Sequence, residues 1–289
     1  MKIGFVGLGI MGDPMCRNII SKSGDAVYVY DTDADKVKSL AAFGANACSD
    51  ALKVAKKSDL IITMVPKSEH SLSVWEQMLP AMDKNKIGID MSTIDPSVSV
   101  EIAEKVKKKG GRFADAPVVK SRPAAIAGSL GIYVGCDEEL FDVIRPVLAY
   151  MGANVIRMGG NGMGLVMKIC HNSLVAEIQN GVNETLLLAS RYGISPDVFR
   201  TAASYGGAQN FYLDGQAEKI MNRDWTTAFS IDNMRKDLGI ALGMAAENGL
   251  DLPGLANARR VYDDSADAGE GSEDFRATYK AVEREAFSE

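Results

Sequence analysis

Short apolar runs rich in β-branched residues recur along the first half of the chain, each followed by a stretch with helical spacing. Residues 3–6, 27–30, 60–65, 87–91, 131–134 and 153–156 read as strands, most of them apolar at successive positions. A run of that kind is buried on both faces, which suits a parallel sheet covered by helices on either side. Residues 96–109, PSVSVEIAEKVKKK, space their apolar side chains at helical intervals. Their basic last turn complements the negative end of the helix dipole. Alternation of this type predicts an open α/β sheet.

The pattern changes after RMGGNGMG at 157–164. Residues 165–191 read as one long helix interrupted only by Gly181, and helical segments without a clear strand follow. A continuing α/β repeat would have brought more strands. We therefore place a boundary near residue 160, with an α/β domain over 1–160 and an all-helical domain over 161–289. The long helix leads from one into the other.

Composition narrows the function classes. The chain has 289 residues, 46% hydrophobic and 24% charged, as in ordinary globular proteins. A net charge of −6 argues against a general nucleic-acid partner. Cys16, Cys48, Cys136 and Cys170 form no CxxC pair, and His70 and His171 are the only histidines. That leaves no metal site and no disulfide framework, and it points to a reducing cytoplasm. Glycines break the apolar N-terminal run and no A-x-A follows, against a signal peptide. No apolar stretch is long enough for a membrane span.

Gly7-Leu8-Gly9-Ile10-Met11-Gly12 is a G-x-G-x-x-G. With 28 glycines in the chain, such a match alone could arise by chance. Here it follows a predicted strand and opens a predicted helix, the context that gives the pattern meaning. Gly7 permits the tight turn, Gly9 lets backbone approach a pyrophosphate, and Gly12 allows the helix to pack closely on the strand. Free N–H groups and the helix dipole then favour the phosphates. Asp31 ends the second strand, where a carboxylate can accept hydrogen bonds from ribose hydroxyls. Thr32 follows it, so a 2′-phosphate would meet negative charge without a cation, which favours NAD over NADP. The bland alternative is a glycine turn beside a surface aspartate.

The chain resembles the β-hydroxyacid dehydrogenase family. The resemblance rests on GLGIMGDPM at 7–15, DMSTI at 90–94, DAPV at 115–118, GMGLVMKICHN at 162–172 and KDLG at 236–239. It implies a Rossmann α/β domain followed by an all-α C-terminal domain, the two linked by a long helix. It further implies NAD(P)-dependent interconversion of a small hydroxyacid and its semialdehyde, and a homodimer or homotetramer. By the same resemblance Lys168 is the catalytic general acid–base. Asn172, one turn on, orients the substrate, and Lys236 lies near the cofactor with Asp237 beside it. Ser92 and Thr93 contact the nicotinamide side, while Met64, Val65 and Pro66 flank the adenosine and diphosphate. Relatives commonly carry Asn where His171 stands, so His171 either touches substrate or fills a packing gap. Imine reductases share this fold without the lysine, and a non-catalytic nucleotide-binding module would have lost the lysine or the glycine loop.

One stretch departs from the family. After DAPV relatives carry Ser-Gly-Gly, whose backbone and hydroxyl hold the substrate carboxylate; here Val119-Lys120-Ser121 stand, followed by Arg122 and Pro123. Loss of both glycines makes the same backbone nest an unexpected outcome. An ammonium, a hydroxyl and a guanidinium in succession suit a sulfonate, a phosphate or a second carboxylate. Sulfolactaldehyde reductases of the family place Arg-Thr at Lys120-Ser121 and resemble this chain through 228–242. 3-Sulfolactaldehyde, in exchange with 2,3-dihydroxypropane-1-sulfonate, is therefore the first expectation for the small anionic substrate. Succinic semialdehyde, tartronate semialdehyde and 3-hydroxyisobutyrate are the alternatives. As solvated loop cations Lys120 and Arg122 would need no ligand, and Arg122 is the one expected to point outward.

Overall fold

A computed structural model describes residues 1–287. Nine strands, β1 (Lys2–Val6), β2 (Ala26–Tyr30), β3 (Asn46–Ala47), β4 (Leu60–Thr63), β5 (Ile87–Asp90), β6 (Arg112–Asp115), β7 (Val118–Val119), β8 (Leu130–Gly135) and β9 (Gly152–Gly159), form one sheet. Its order is β3-β2-β1-β4-β5-β6-β8-β7, with β9 on β8. The first six strands are parallel, as expected for runs buried on both faces. Beyond them β8 runs antiparallel to β6 and β7, and β9 returns parallel to β8.

Between the strands lie α1 (Gly12–Ser23), α2 (Ala34–Ala42), α3 (Ala51–Lys57), α4 (Ser68–Met78), α5 (Pro96–Lys108), α6 (Ser121–Ala127) and α7 (Glu138–Leu148). Side chains of β4 alternate between two cores. Leu60 and Ile62 join one with Phe5, Met15 and Ile132, whereas Ile61 joins another with Val54, Trp75 and Ile102. That two-residue alternation explains why the run is apolar throughout. Asp33, Asp50, Asp95 and Asp137 start α2, α3, α5 and α7 by accepting first-turn N–H groups. The six expected strands all have counterparts. β6 was not expected, because RFAD offers only Phe113 and Ala114 as an apolar signal between Arg112 and Asp115.

The long helix α8 spans Met163–Arg191, followed by α9 (Pro196–Ala203), α10 (Phe211–Met221), α11 (Ile231–Glu247), α12 (Pro253–Ser265) and α13 (Tyr279–Ala286). The chain divides into two compact units, Met1–Lys168 and Ile169–Glu289. The division falls inside α8, whose first turn packs on the first unit. Leu165 packs among Val106, Phe113 and Ile102, whereas Ile169 packs among Met234, Leu238 and Tyr262. In the second unit, a buried carboxylate, Asp274, accepts the Ala228 and Phe229 N–H groups at 2.8 and 3.1 Å. It also pairs with Arg276 at 2.9 Å. Arg276 donates onward to the Asp224 and Thr226 carbonyls, clasping the segment that leads into α11. Among the described residues no helix is long and apolar enough to cross a membrane, and no group of three or more His, Cys, Asp or Glu could hold a metal.

Candidate functional site

Strand order reverses between β1 and β4, so their carboxyl ends open a crevice of the type in which α/β sheets bind nucleotides. The glycine loop leaves β1 at that point. Gly7 has φ 95°, and a Cβ there would collide with the Met64 carbonyl. A Cβ on Gly12 would collide with the Gly7 carbonyl, which is the close helix–strand approach that the motif requires. Around Gly9 a Cβ would meet nothing within 4 Å. The protein itself therefore does not need that glycine; the room fits a diphosphate laid against the backbone. Helix α1 starts without a side-chain cap at Met11, which leaves first-turn N–H groups for an anion. Ile10 is exposed, and Leu8 is buried beneath the loop.

Asp31 has a second task that its sequence position did not reveal. One carboxylate oxygen accepts the Leu8 N–H at 2.6 Å and the other the Asp33 N–H at 2.8 Å. It thus ties the glycine loop to the end of β2, and each oxygen keeps a further lone pair for a ribose hydroxyl. Two more acids, Asp33 and Asp35, follow, and Lys36 and Lys38 are engaged with them at 3.5 and 2.9 Å.

On the other side of the crevice, Met64 and Val65 are half-buried beside Gly7, and Pro66 is exposed. Ser92 differs from expectation: it is fully buried, and its hydroxyl accepts the Val65 N–H at 2.8 Å. Its own N–H donates to Asp90, which also accepts from the Ser71 hydroxyl. Ser92 therefore braces the loop after β4 from behind. Thr93, half-buried, stands at the end of β5.

Asp115 of the DAPV stretch is the residue that sequence reasoning passed over. Fully buried, it accepts the Gly162 N–H at 2.6 Å and the Leu165 N–H at 2.9 Å, capping the start of α8. Gly162 has φ 88°, and a Cβ on Gly164 would lie 2.5 Å from the Tyr133 carbonyl and 2.8 Å from Asp115. The GMG sequence is thus what lets α8 begin against β8. Burial pushes the Asp115 carboxyl up to about 6, against the opposing effect of the N–H groups it accepts. The available signal was an acid within the apolar run FADAPVV.

Lys168 follows one turn after Leu165 on α8 and is 7% exposed, an uncommon setting for a lysine. Asn172 is buried in the second unit, where its amide donates to Asp237 at 2.6 Å. The other Asp237 oxygen lies 2.8 Å from the Lys236 ammonium. Asp237 is itself 1% exposed, so one carboxylate organises both neighbours. His171 is half-buried.

The Lys120 segment corrects the expected loop. Val118–Val119 form β7, and a short helix, α6, begins at Ser121. Lys120 and Ser121 both adopt left-handed backbone, at φ 86° and 60°. Glycine enters this region without steric cost, whereas here two residues with side chains occupy it. Holding each residue there costs about 1–2 kcal/mol. Lys120 and Arg122 are exposed, Ser121 is half-buried, and neither cation forms an ion pair among the described residues.

Residues 2–160 match the family model described as the NAD binding domain of 6-phosphogluconate dehydrogenase. Residues 162–282 match that described as the NAD-binding of NADP-dependent 3-hydroxyisobutyrate dehydrogenase. The chain is 34% identical to 2-(hydroxymethyl)glutarate dehydrogenase of Eubacterium barkeri, over 98% of this chain and 95% of the relative. It is 35% identical to mitochondrial 3-hydroxyisobutyrate dehydrogenase of Drosophila melanogaster, over 99% and 91%. Among solved structures, 3-hydroxyisobutyrate dehydrogenase of Mycobacterium tuberculosis with L-serine aligns with a TM-score of 0.90 and 29% identity, covering 97% of this chain and 98% of that one.

Proposed function

The chain belongs to the β-hydroxyacid dehydrogenase family, and from that premise we propose that its substrate carries a strongly anionic group held by Lys120 and Ser121. It is an oxidoreductase that uses a nicotinamide dinucleotide to interconvert a hydroxyacid and its semialdehyde. A nicotinamide dinucleotide held by the glycine loop and Asp31 would supply the hydride exchange with the substrate carbon. Lys168 gives its proton to the aldehyde oxygen as the alcohol forms and takes it back in the reverse direction. Asn172, held by Asp237, orients the substrate. Asp31, with Asp33 and Asp35 beside it, disfavours a 2′-phosphate, which supports NAD as the preferred form.

The observation that carries the substrate reading is the strained backbone at Lys120 and Ser121. A cation without an ion partner among the described residues is kept in a glycine conformation. Strain of this kind persists where the surroundings or the function require it. An ammonium and a hydroxyl together match a sulfonate, so 3-sulfolactaldehyde and 2,3-dihydroxypropane-1-sulfonate are the first reading. A second carboxylate is the other reading, favoured by the relative named for 2-(hydroxymethyl)glutarate.

The test is a panel of 3-sulfolactaldehyde, succinic semialdehyde, tartronate semialdehyde and 3-hydroxyisobutyrate with NAD(H) and NADP(H). The highest kcat/KM is expected on the sulfonate with NADH, and equal efficiency with NADPH would sink the cofactor preference. Lys120→Gly separates strain from binding. It is expected to raise substrate KM by ~10- to 100-fold, the loss of one charged hydrogen bond, with cofactor KM unchanged. Stability should stay level or rise by up to ~1 kcal/mol as the left-handed strain is relieved. Unchanged substrate KM returns Lys120 to the role of a solvated cation.

A further inference from the structure

We infer that Asp115 is a positioning residue for Lys168, its carboxylate holding the first turn of α8 so that the lysine is delivered at a fixed depth and rotation. The inference rests on the catalytic reading of Lys168 given above. Asp115 ends β6, and its two oxygens take separate N–H groups, that of Gly162 before α8 and that of Leu165 in its first turn. A bidentate hold of this kind fixes both the height of the helix and its rotation about its own axis. Lys168 lies three residues beyond Leu165, a rise of ~4.5 Å, so little helix intervenes in which an error could be absorbed.

Two further features make the hold specific. The Asn161 amide donates to the Phe113 and Gly135 carbonyls, at 2.8 and 3.3 Å, pinning the approach to α8 onto the same strand ends. Gly164 and Gly135 both leave room that a Cβ would fill against Asp115. Each N–H group meets a different carboxylate oxygen, so an amide in the same pose would turn its NH2 toward one of them.

The charged surroundings make the hold sensitive to protons. Asp90 faces Asp115 from the end of β5, and the Cys136 thiol, itself pushed up to about 12 by burial, follows β8. Arg112 turns to Asp137, and Arg157 to the Cys136 carbonyl. Lys168 is the first titratable group along α8. Below about pH 6 Asp115 takes a proton, one oxygen becomes a donor, and one of the two N–H groups loses its acceptor.

Asp115→Asn, Gly164→Ala and Lys168→Ala are compared with the parent on the best-used member of the substrate panel. Both kcat against pH and the NADH Kd by fluorescence are measured. Asp115→Asn is expected to lower kcat ~10- to 100-fold, the effect of a small misplacement of a reacting group, with NADH Kd little changed. Its acid limb near pH 6 should vanish. Gly164→Ala, which displaces the helix start but keeps the carboxylate, should lower kcat and retain that limb; it decides the matter if Asp115→Asn does not fold. Parental kcat with an intact acid limb in Asp115→Asn, or parental kcat in Gly164→Ala, overturns the positioning role while Lys168→Ala is inactive. An active Lys168→Ala instead overturns the catalytic reading, and the positioning role with it.

Discussion

Lys168→Ala is expected to lower kcat by ~10²- to 10⁴-fold, the usual contribution of a positioned proton donor and acceptor. NADH binding should persist, because the glycine loop, Asp31 and the residues after β4 are built by the first unit without that side chain. Lys168→Arg sharpens the test: it keeps the positive charge but cannot release a proton near neutrality, so it should be nearly as inactive. If the lysine only balanced charge or packed its stem, arginine would restore most of the activity. Single-turnover reduction of an aldehyde by bound NADH reads the chemical step without product release. Normal turnover in either variant removes Lys168 from the chemistry.

The largest stability effect is expected in the second unit, at Arg276. Its side chain is 3% exposed, pairs with a carboxylate that is 1% exposed, and satisfies two backbone carbonyls. Arg276→Met retains the apolar stem but leaves Asp274 buried without its cation, a change that costs ~3–5 kcal/mol. The denaturant midpoint should fall accordingly, with the slope unchanged. The clasp also holds the segment entering α11, which carries Lys236 and Asp237. A loss of less than ~1 kcal/mol would place the pair in the class of surface bridges and defeat the argument.

Some of the site was legible because it depends on neighbours in sequence. The three glycines of the N-terminal loop follow from the turn, the diphosphate and the helix contact, all within six residues. Asp31 was found by its place at a strand end, but its bond to Leu8, 23 residues away, was not. The left-handed backbone at Lys120 and Ser121 was not legible, because neither residue type favours it. Local preference there is overruled by β7 pairing with β8 on one side and α6 packing on α1 on the other, where Asn18 donates to the Ala125 carbonyl. Ser92 looked like a ligand contact from its position at a strand end; only the direction of its hydroxyl shows it bracing Val65.

By itself the sequence determined the alternation of strands and helices, the nucleotide loop and the family. Each of these is written in residue periodicity or in short motifs, and backbone sterics and side-chain burial act over those same short distances. Tertiary structure alone decided that α8 starts inside the first unit and that Asp115 holds it there. The acceptor and the N–H groups it serves are 47 and 50 residues apart. No local pattern encodes such a pairing, because a buried carboxylate is stable only where folding brings its donors to it.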